Sequence, residues 1–242
     1  MSATHRLLTI FVLIMTLLAP PAIAADFPPF KASYVADMDI AIKIRGTATR
    51  TLVALDDDRV RLTSEALGAG MSLVETAVFR QDGDRVVPLE YKFERKVPFS
   101  NKLIHFRYDY KTMQIVSLDP QEPWQMPFKE GTLDKVSYQA QLQLDHAKGK
   151  TRFVYPVVTR KNRLKHYEFR ITGQEEIETA SGTFLCDIFQ KIDDDDSRDT
   201  KLWVSDRHEG MIIQLAQLEK GQSYVIMLDK GTIRDKAIKG DR

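Results

Sequence analysis

The residues able to do chemistry are few and scattered. Zinc and similar ions need Cys and His in closely spaced groups. The histidines beyond the first segment are His105, His146, His166 and His208, and no two of them are near enough in sequence to pair. His105 and His166 fall on strand faces opposite aromatic runs, which predicts exposed positions. Cys186, the single cysteine, lies in Phe184-Leu185-Cys186-Asp187-Ile188-Phe189. That apolar setting predicts a small buried side chain, not a nucleophile. Asp193 to Asp196 offers hard oxygen ligands of the kind Ca²⁺ takes. The run lacks the spaced ligands, turn glycine and distal glutamate of a calcium loop. With Ser197, Arg198 and Asp199 it reads as a solvated connection, and Asp56 to Asp58 reads as a turn.

Nucleophile elbows of the Gly-x-Ser-x-Gly type and phosphate-binding glycine loops are absent from the sequence. Paired carboxylates for glycoside hydrolysis meet only in three dimensions. The aromatic residues Phe93, Phe99, Phe106, Tyr108 and Tyr110 could line an apolar cavity or form ordinary core. The sequence therefore assigns no catalytic residue, no metal ligand and no cofactor, and leaves any ligand-binding residues open.

The elements that would have to position a site begin after a segment with the marks of an export signal. His5 and Arg6 precede an apolar run from Leu7 to Leu18, Pro20-Pro21 ends it, and Ala22-Ile23-Ala24 supplies a small-residue cleavage site. The run is shorter than the ~20 residues that span a bilayer as a helix. No cysteine stands at the end of the run, so a lipoprotein anchor is not expected. The expectation is a signal peptide over 1–24, cleavage near Ala24, a periplasmic destination, one β-rich domain over 25–229 and a loose polar tail over 230–242. No later stretch is apolar enough to span a membrane. The single cysteine excludes an internal disulfide, so packing alone must hold the fold. The 35 Lys+Arg against 34 Asp+Glu argue against a nucleic-acid partner, which would favour a clearly basic face.

Alternation with period two dominates the rest. Phe30, Ala32, Tyr34, Ala36, Met38 and Ile40 share one face. Further strands follow over 47–55, 59–66, 71–80, 85–95, 103–110 and 113–118. Val87, Leu89, Tyr91 and Phe93 share a face, and Pro88 predicts an edge strand or a bulge. Asp119 to Lys129, with three prolines and Trp124, reads as a loop. Leu133, Val136, Ala140 and Leu144 then recur at helical spacing from Thr132 to Ala147; Thr132 or Asp134 can cap the start and Gly149 can end it. Strands resume over 151–158, 164–172, 174–178, 183–192, 201–205, 211–218 and 223–228. About a dozen strands with one inserted helix predict an all-β, mostly antiparallel fold: a large curled sheet or a barrel-like architecture.

The order of these pieces resembles a known family. The first strand is followed by a Gly46 strand pair, Val87-Pro88-Leu89-Glu90-Tyr91, Leu133-Asp134-Lys135-Val136-Ser137-Tyr138, Ser181-Gly182-Thr183-Phe184 and Leu202-Trp203-Val204-Ser205-Asp206. This series is similar to the exported Gram-negative family called domain of unknown function 3108. The resemblance implies a periplasmic β-rich protein and brings no accepted activity or site residues. Three functions fit. The first is a non-enzymatic binding protein of the cell envelope for an apolar or lipid-like ligand. The second is an envelope assembly or scaffold factor acting by protein–protein contacts through its sheet edges and exposed loops, with Asp119–Lys129 the candidate surface. The third is a hydrolase of an envelope polymer. The expected partner is accordingly an envelope lipid or protein.

Overall fold

The computed structural model describes residues 27–39, 43–56, 58–68, 70–160, 163–192 and 198–242. The expected leader, Ile40, Asp57 and the Asp193–Asp196 run lie outside these residues. The first half of the chain is an antiparallel meander. Its strands are β1 (Phe30–Asp39), β2 (Lys43–Ala54), β3 (Arg59–Gly68), β4 (Met71–Asp82), β5 (Arg85–Val97), β6 (Ser100–Asp109), β7 (Gln114–Ser117) and β8 (Gln125–Pro127). The two-residue β9 (Leu133–Asp134) and helix α1 (Ser137–Ala147) follow. A second meander has β10 (Arg152–Arg160), β11 (Arg163–Thr179), β12 (Gly182–Ile192), β13 (Arg198–Ser205), β14 (Met211–Glu219) and β15 (Gln222–Ile233). A short β16 (Lys236–Ala237) pairs with β15.

The two meanders join where β1 pairs antiparallel with β15, so the ends of the chain meet in mid-sheet. The middle of the chain supplies both margins, β8 and β9, on a path of fifteen strands. Laid flat, that path would separate its margins by about 65 Å at ~4.8 Å per step. The link over residues 128–132 can span only about 22 Å. The sheet must therefore roll, and it does so without closing. Helix α1 lies between the approaching parts, packed on β4 and β5 from one side and on β9 and β10 from the other.

Two apolar layers result. Leu202 and Val204 of β13 face the layer that contains α1, while Trp203 between them faces a second layer with Cys186, Ile213 and Leu228. Both faces of β13 are thus buried, as in a sheet rolled over itself. The helix is shorter than its spacing predicts, because Leu133–Asp134 pairs in parallel with Val157–Val158. Asp134 still organises its start: its carboxylate accepts the amides of Val136 and Ser137, and the Ser137 hydroxyl accepts the amide of Asp134. Gly149, at φ +77°, follows the helix, and its amide donates to the His146 carbonyl.

Local departures from the expected pattern have specific causes. Pro88 does sit at a bulge, where Val78 pairs with Glu90 and Phe79 with Pro88. The extra residue reverses the alternation, so Val86, Pro88 and Tyr91 are buried instead of Val87 and Leu89. The predicted strands 164–172 and 174–178 are one strand with a bulge between Ile171 and Gly173. The Asp119–Lys129 segment is not all loop, since β8 pairs with β7 within it. The tail from Lys230 is not loose. It completes β15 and then docks Ile238, which is buried, against Gly231. Gly240 and Asp241 hydrogen-bond to Ser181 and Thr183. Gly182 and Gly240 permit this approach: a Cβ on Gly240 would lie 2.4 Å from the Thr183 nitrogen, and one on Gly182 2.9 Å from the Gly240 nitrogen.

Candidate functional site

Several polar side chains converge in the interior, and each is absorbed by the fold. His146, at the end of α1, donates through Nε2 to the Asp187 carboxylate at 2.7 Å, and Gln174 donates to the other Asp187 oxygen at 2.9 Å. The His146 side chain is 7% exposed and lies edge-on to Phe189. Its neighbour Asp145 accepts from Tyr155 and Lys150, each at 2.7 Å. These bonds tie the helix to the second meander. An imidazole held by a carboxylate is a general-base geometry, but His146 and Asp187 line neither the hollow beside α1 nor the cleft beside β6.

The other expected positions separate in the same way. His105 contacts Glu90 at 2.8 Å and is partly buried, short of the exposure its strand position predicts, whereas His166 is exposed. His208 links Ser205, at 2.8 Å, to the Lys239 carbonyl, at 3.0 Å. Cys186 is buried, and that burial, reinforced by Asp241, Asp187 and Glu175, raises its thiol to about 12. Among the described residues no group of three His, Cys, Asp or Glu side chains is placed to hold a metal ion. Of the five aromatic candidates, Phe106 and Tyr108 are core, and Phe93 and Tyr110 pack on that core half-buried. Phe99 stands fully exposed at the tip between β5 and β6. They do not enclose a cavity together.

A cavity of about 40 Å³ lies beside α1, bordered by Tyr34, Leu142 and Met211. Ligand pockets run to about 300–1,000 Å³. An open cleft of about 740 Å³ falls in that range. One wall is the β5–β6 hairpin, from Glu94 to Lys96 and Asn101 to His105; the other is the turn Asp119–Glu122 with Trp124.

The cleft exists because β7 stops short. It pairs with β6 only from Phe106 to Asp109. After Ser117 the chain turns aside, fixed by the Ser117 amide bonding the Trp124 carbonyl at 2.9 Å and the Ser117 hydroxyl bonding the Glu122 carbonyl at 2.9 Å. Trp124 anchors the turn by packing on Phe106, with ring centroids 5.5 Å apart. The Leu118 amide bonds the His105 carbonyl at 2.8 Å. Beyond it no described strand pairs with Ser100–Ile104 on that side. The sequence marks the proline-rich segment as a candidate surface, and its residues do form one wall. It does not show the unpaired edge of β6 opposite, because which strands pair, and over what length, is not a local property.

No helix among the described residues is long and apolar enough to cross a membrane. No curated protein matches the chain. Among solved structures, a β-barrel-like protein of domain of unknown function DUF1849 from Brucella abortus has the same fold. The two superpose with a TM-score of 0.63 at 12% identity, over 88% of this chain and 100% of that one. The profile described as "Protein of unknown function (DUF3108)" matches residues 30–229. Across nearly all of its rolled sheet, the chain belongs to the DUF3108 family.

Proposed function

We propose that this chain is an exported, non-enzymatic binding protein of the cell envelope, periplasmic after loss of residues 1–24, and that it binds its ligand in the cleft between the β5–β6 hairpin and the Asp119–Trp124 turn. The observation that carries this reading is the contrast between an interior filled by α1 and an open cleft of about 740 Å³. An acyl chain has no room in a 40 Å³ cavity. Apolar groups of a ligand would instead meet Leu103, Ile104 and Trp124 in the cleft, with charged side chains around them. Binding surfaces of this kind combine an apolar floor with a few polar groups that orient the ligand.

Native mass spectrometry of the protein isolated from the periplasm without detergent tests the reading, with N-terminal sequencing to place the cleavage. Retained mass that is lost on Trp124→Ala, together with an N-terminus at Ala25, is the expected result. Retained mass indifferent to Trp124 would move the site elsewhere. A bare protein that also captures nothing through a photo-crosslinking residue at Gln121 in cells would end the proposal.

A further inference from the structure

We infer that the cleft is an empty strand position, and that its occupant is an extended peptide segment of a partner protein added antiparallel to β6. This deepens the proposed binding function and rests on it. The Leu118 amide reaches the His105 carbonyl from the β7 side. In an antiparallel sheet the amide and carbonyl of one residue point the same way, and alternate residues share that direction. Asn101 and Leu103 therefore direct their backbone groups into the cleft, along a stretch that no described strand covers. Over Ser100–Ile104 the open edge is about 17 Å long, at ~3.4 Å per residue. That length suits a strand of five or six residues.

Open edges of this length invite pairing, and proteins commonly shorten or cover them. The two margins of this sheet follow that rule: β8 has three residues and ends in Pro127, and β9 has two. The β6 edge lies inside a walled cleft instead. Strand addition gives affinity through main-chain hydrogen bonds, while flanking side chains give specificity.

β6 pairs antiparallel with both of its neighbours, and charge sets the kind of peptide that would continue that order. Arg95, Lys96 and Lys102 line the hairpin end of the cleft, where Glu94 is already paired with Lys92 at 3.1 Å. Asp119 and Glu122 line the other end. β6 runs from the basic end to the acidic end, so an antiparallel strand brings its C-terminal end to Arg95 and Lys96. The matching segment has alternating apolar residues, to meet Ile104 and Trp124, and acidic residues or a free carboxylate at its C-terminal end.

The test pans a library of random nine-residue peptides against the immobilised mature protein and measures hydrogen exchange in the complexes selected. Peptides with an acidic C-terminal end are expected to be enriched. They should protect the amides of Asn101 and Leu103, and should lose at least about tenfold in affinity against Arg95→Glu/Lys96→Glu. N-methylation of alternate peptide amides should abolish binding in one register and spare it in the other, a control that leaves the protein unaltered. No enrichment overturns the inference, as does enrichment without protection of those two amides. Concentration-dependent protection of the same amides in the protein alone would assign the edge to a second copy and overturn it too. If the Gln121 crosslink captures a lipid while these peptides fail, the strand-addition inference falls and the binding reading stands.

Discussion

Asp134 makes the fold pH-dependent in a direction opposite to most surface carboxylates. It is fully buried where β9 meets α1. Its Oδ1 accepts the amides of Val136 at 2.9 Å and Ser137 at 2.8 Å, while Oδ2 has no hydrogen-bond partner among the described residues. Burial raises its pKa from 3.8 to about 6, against the lowering effect of the two amide bonds and with a smaller contribution from Glu75. The unfolded chain keeps the ordinary value, so the folded protein binds this proton more tightly. The associated stability is complete below about pH 4 and is lost as pH rises through 6. A difference of roughly two units corresponds to about 3 kcal/mol at ~1.36 kcal/mol per unit. Asp134→Asn keeps an oxygen for the two amides and removes the titration. Whatever its constant cost, the variant should gain about 2 kcal/mol relative to the parent between pH 4 and pH 7. Urea unfolding of both proteins at the two pH values measures this double difference. A difference unchanged with pH would refute the assignment of a destabilising buried charge to Asp134.

The clasp made by the C-terminal segment gives a second expectation. Gly240→Ala places a Cβ 2.4 Å from the Thr183 backbone, where no side chain can yield. Stability should fall by about 1–3 kcal/mol, with faster hydrogen exchange at Leu185, whose amide bonds the Asp241 carboxylate at 2.9 Å. Cys186 should be inert to an aromatic disulfide reagent in the folded protein and react only at the rate of unfolding; rapid native-state labelling would contradict its burial. Trp203, buried with its indole donating to Glu175 at 2.7 Å, provides a control for binding work. In Trp203→Phe the remaining tryptophan, Trp124, should report ligand entry into the cleft by a change in fluorescence, and a silent Trp124 during proven binding would exclude the cleft.

Much of the secondary structure is a local matter and is legible in the residues themselves. Alternation at Ala32, Tyr34 and Ala36 places those side chains in one layer because successive residues of a strand face opposite ways. Gly149 ends its helix for an equally local reason, a backbone conformation that costs glycine nothing. The bulge at Pro88 is legible too, since proline lacks the amide that a ladder position needs. Its consequence is not: one inserted residue exchanges the faces of everything after it, so Tyr91 is buried with Val86 and not with Val87.

By itself the sequence determined the class of the fold, the number and order of most strands and the position of helix α1. These follow from periodicity and residue type within a few neighbours. Tertiary structure decided the rest. The roll of the sheet comes from the short link between its two margins. The burial of His146 against Asp187, 41 residues away, comes from bringing the helix end against a strand of the second meander. The docking of the tail depends on two glycines far apart in sequence. The cleft depends on β7 ending four pairs along β6. Each is a relation between distant segments, set by which strands pair and for how long, and pairing length is a competition among all the segments at once.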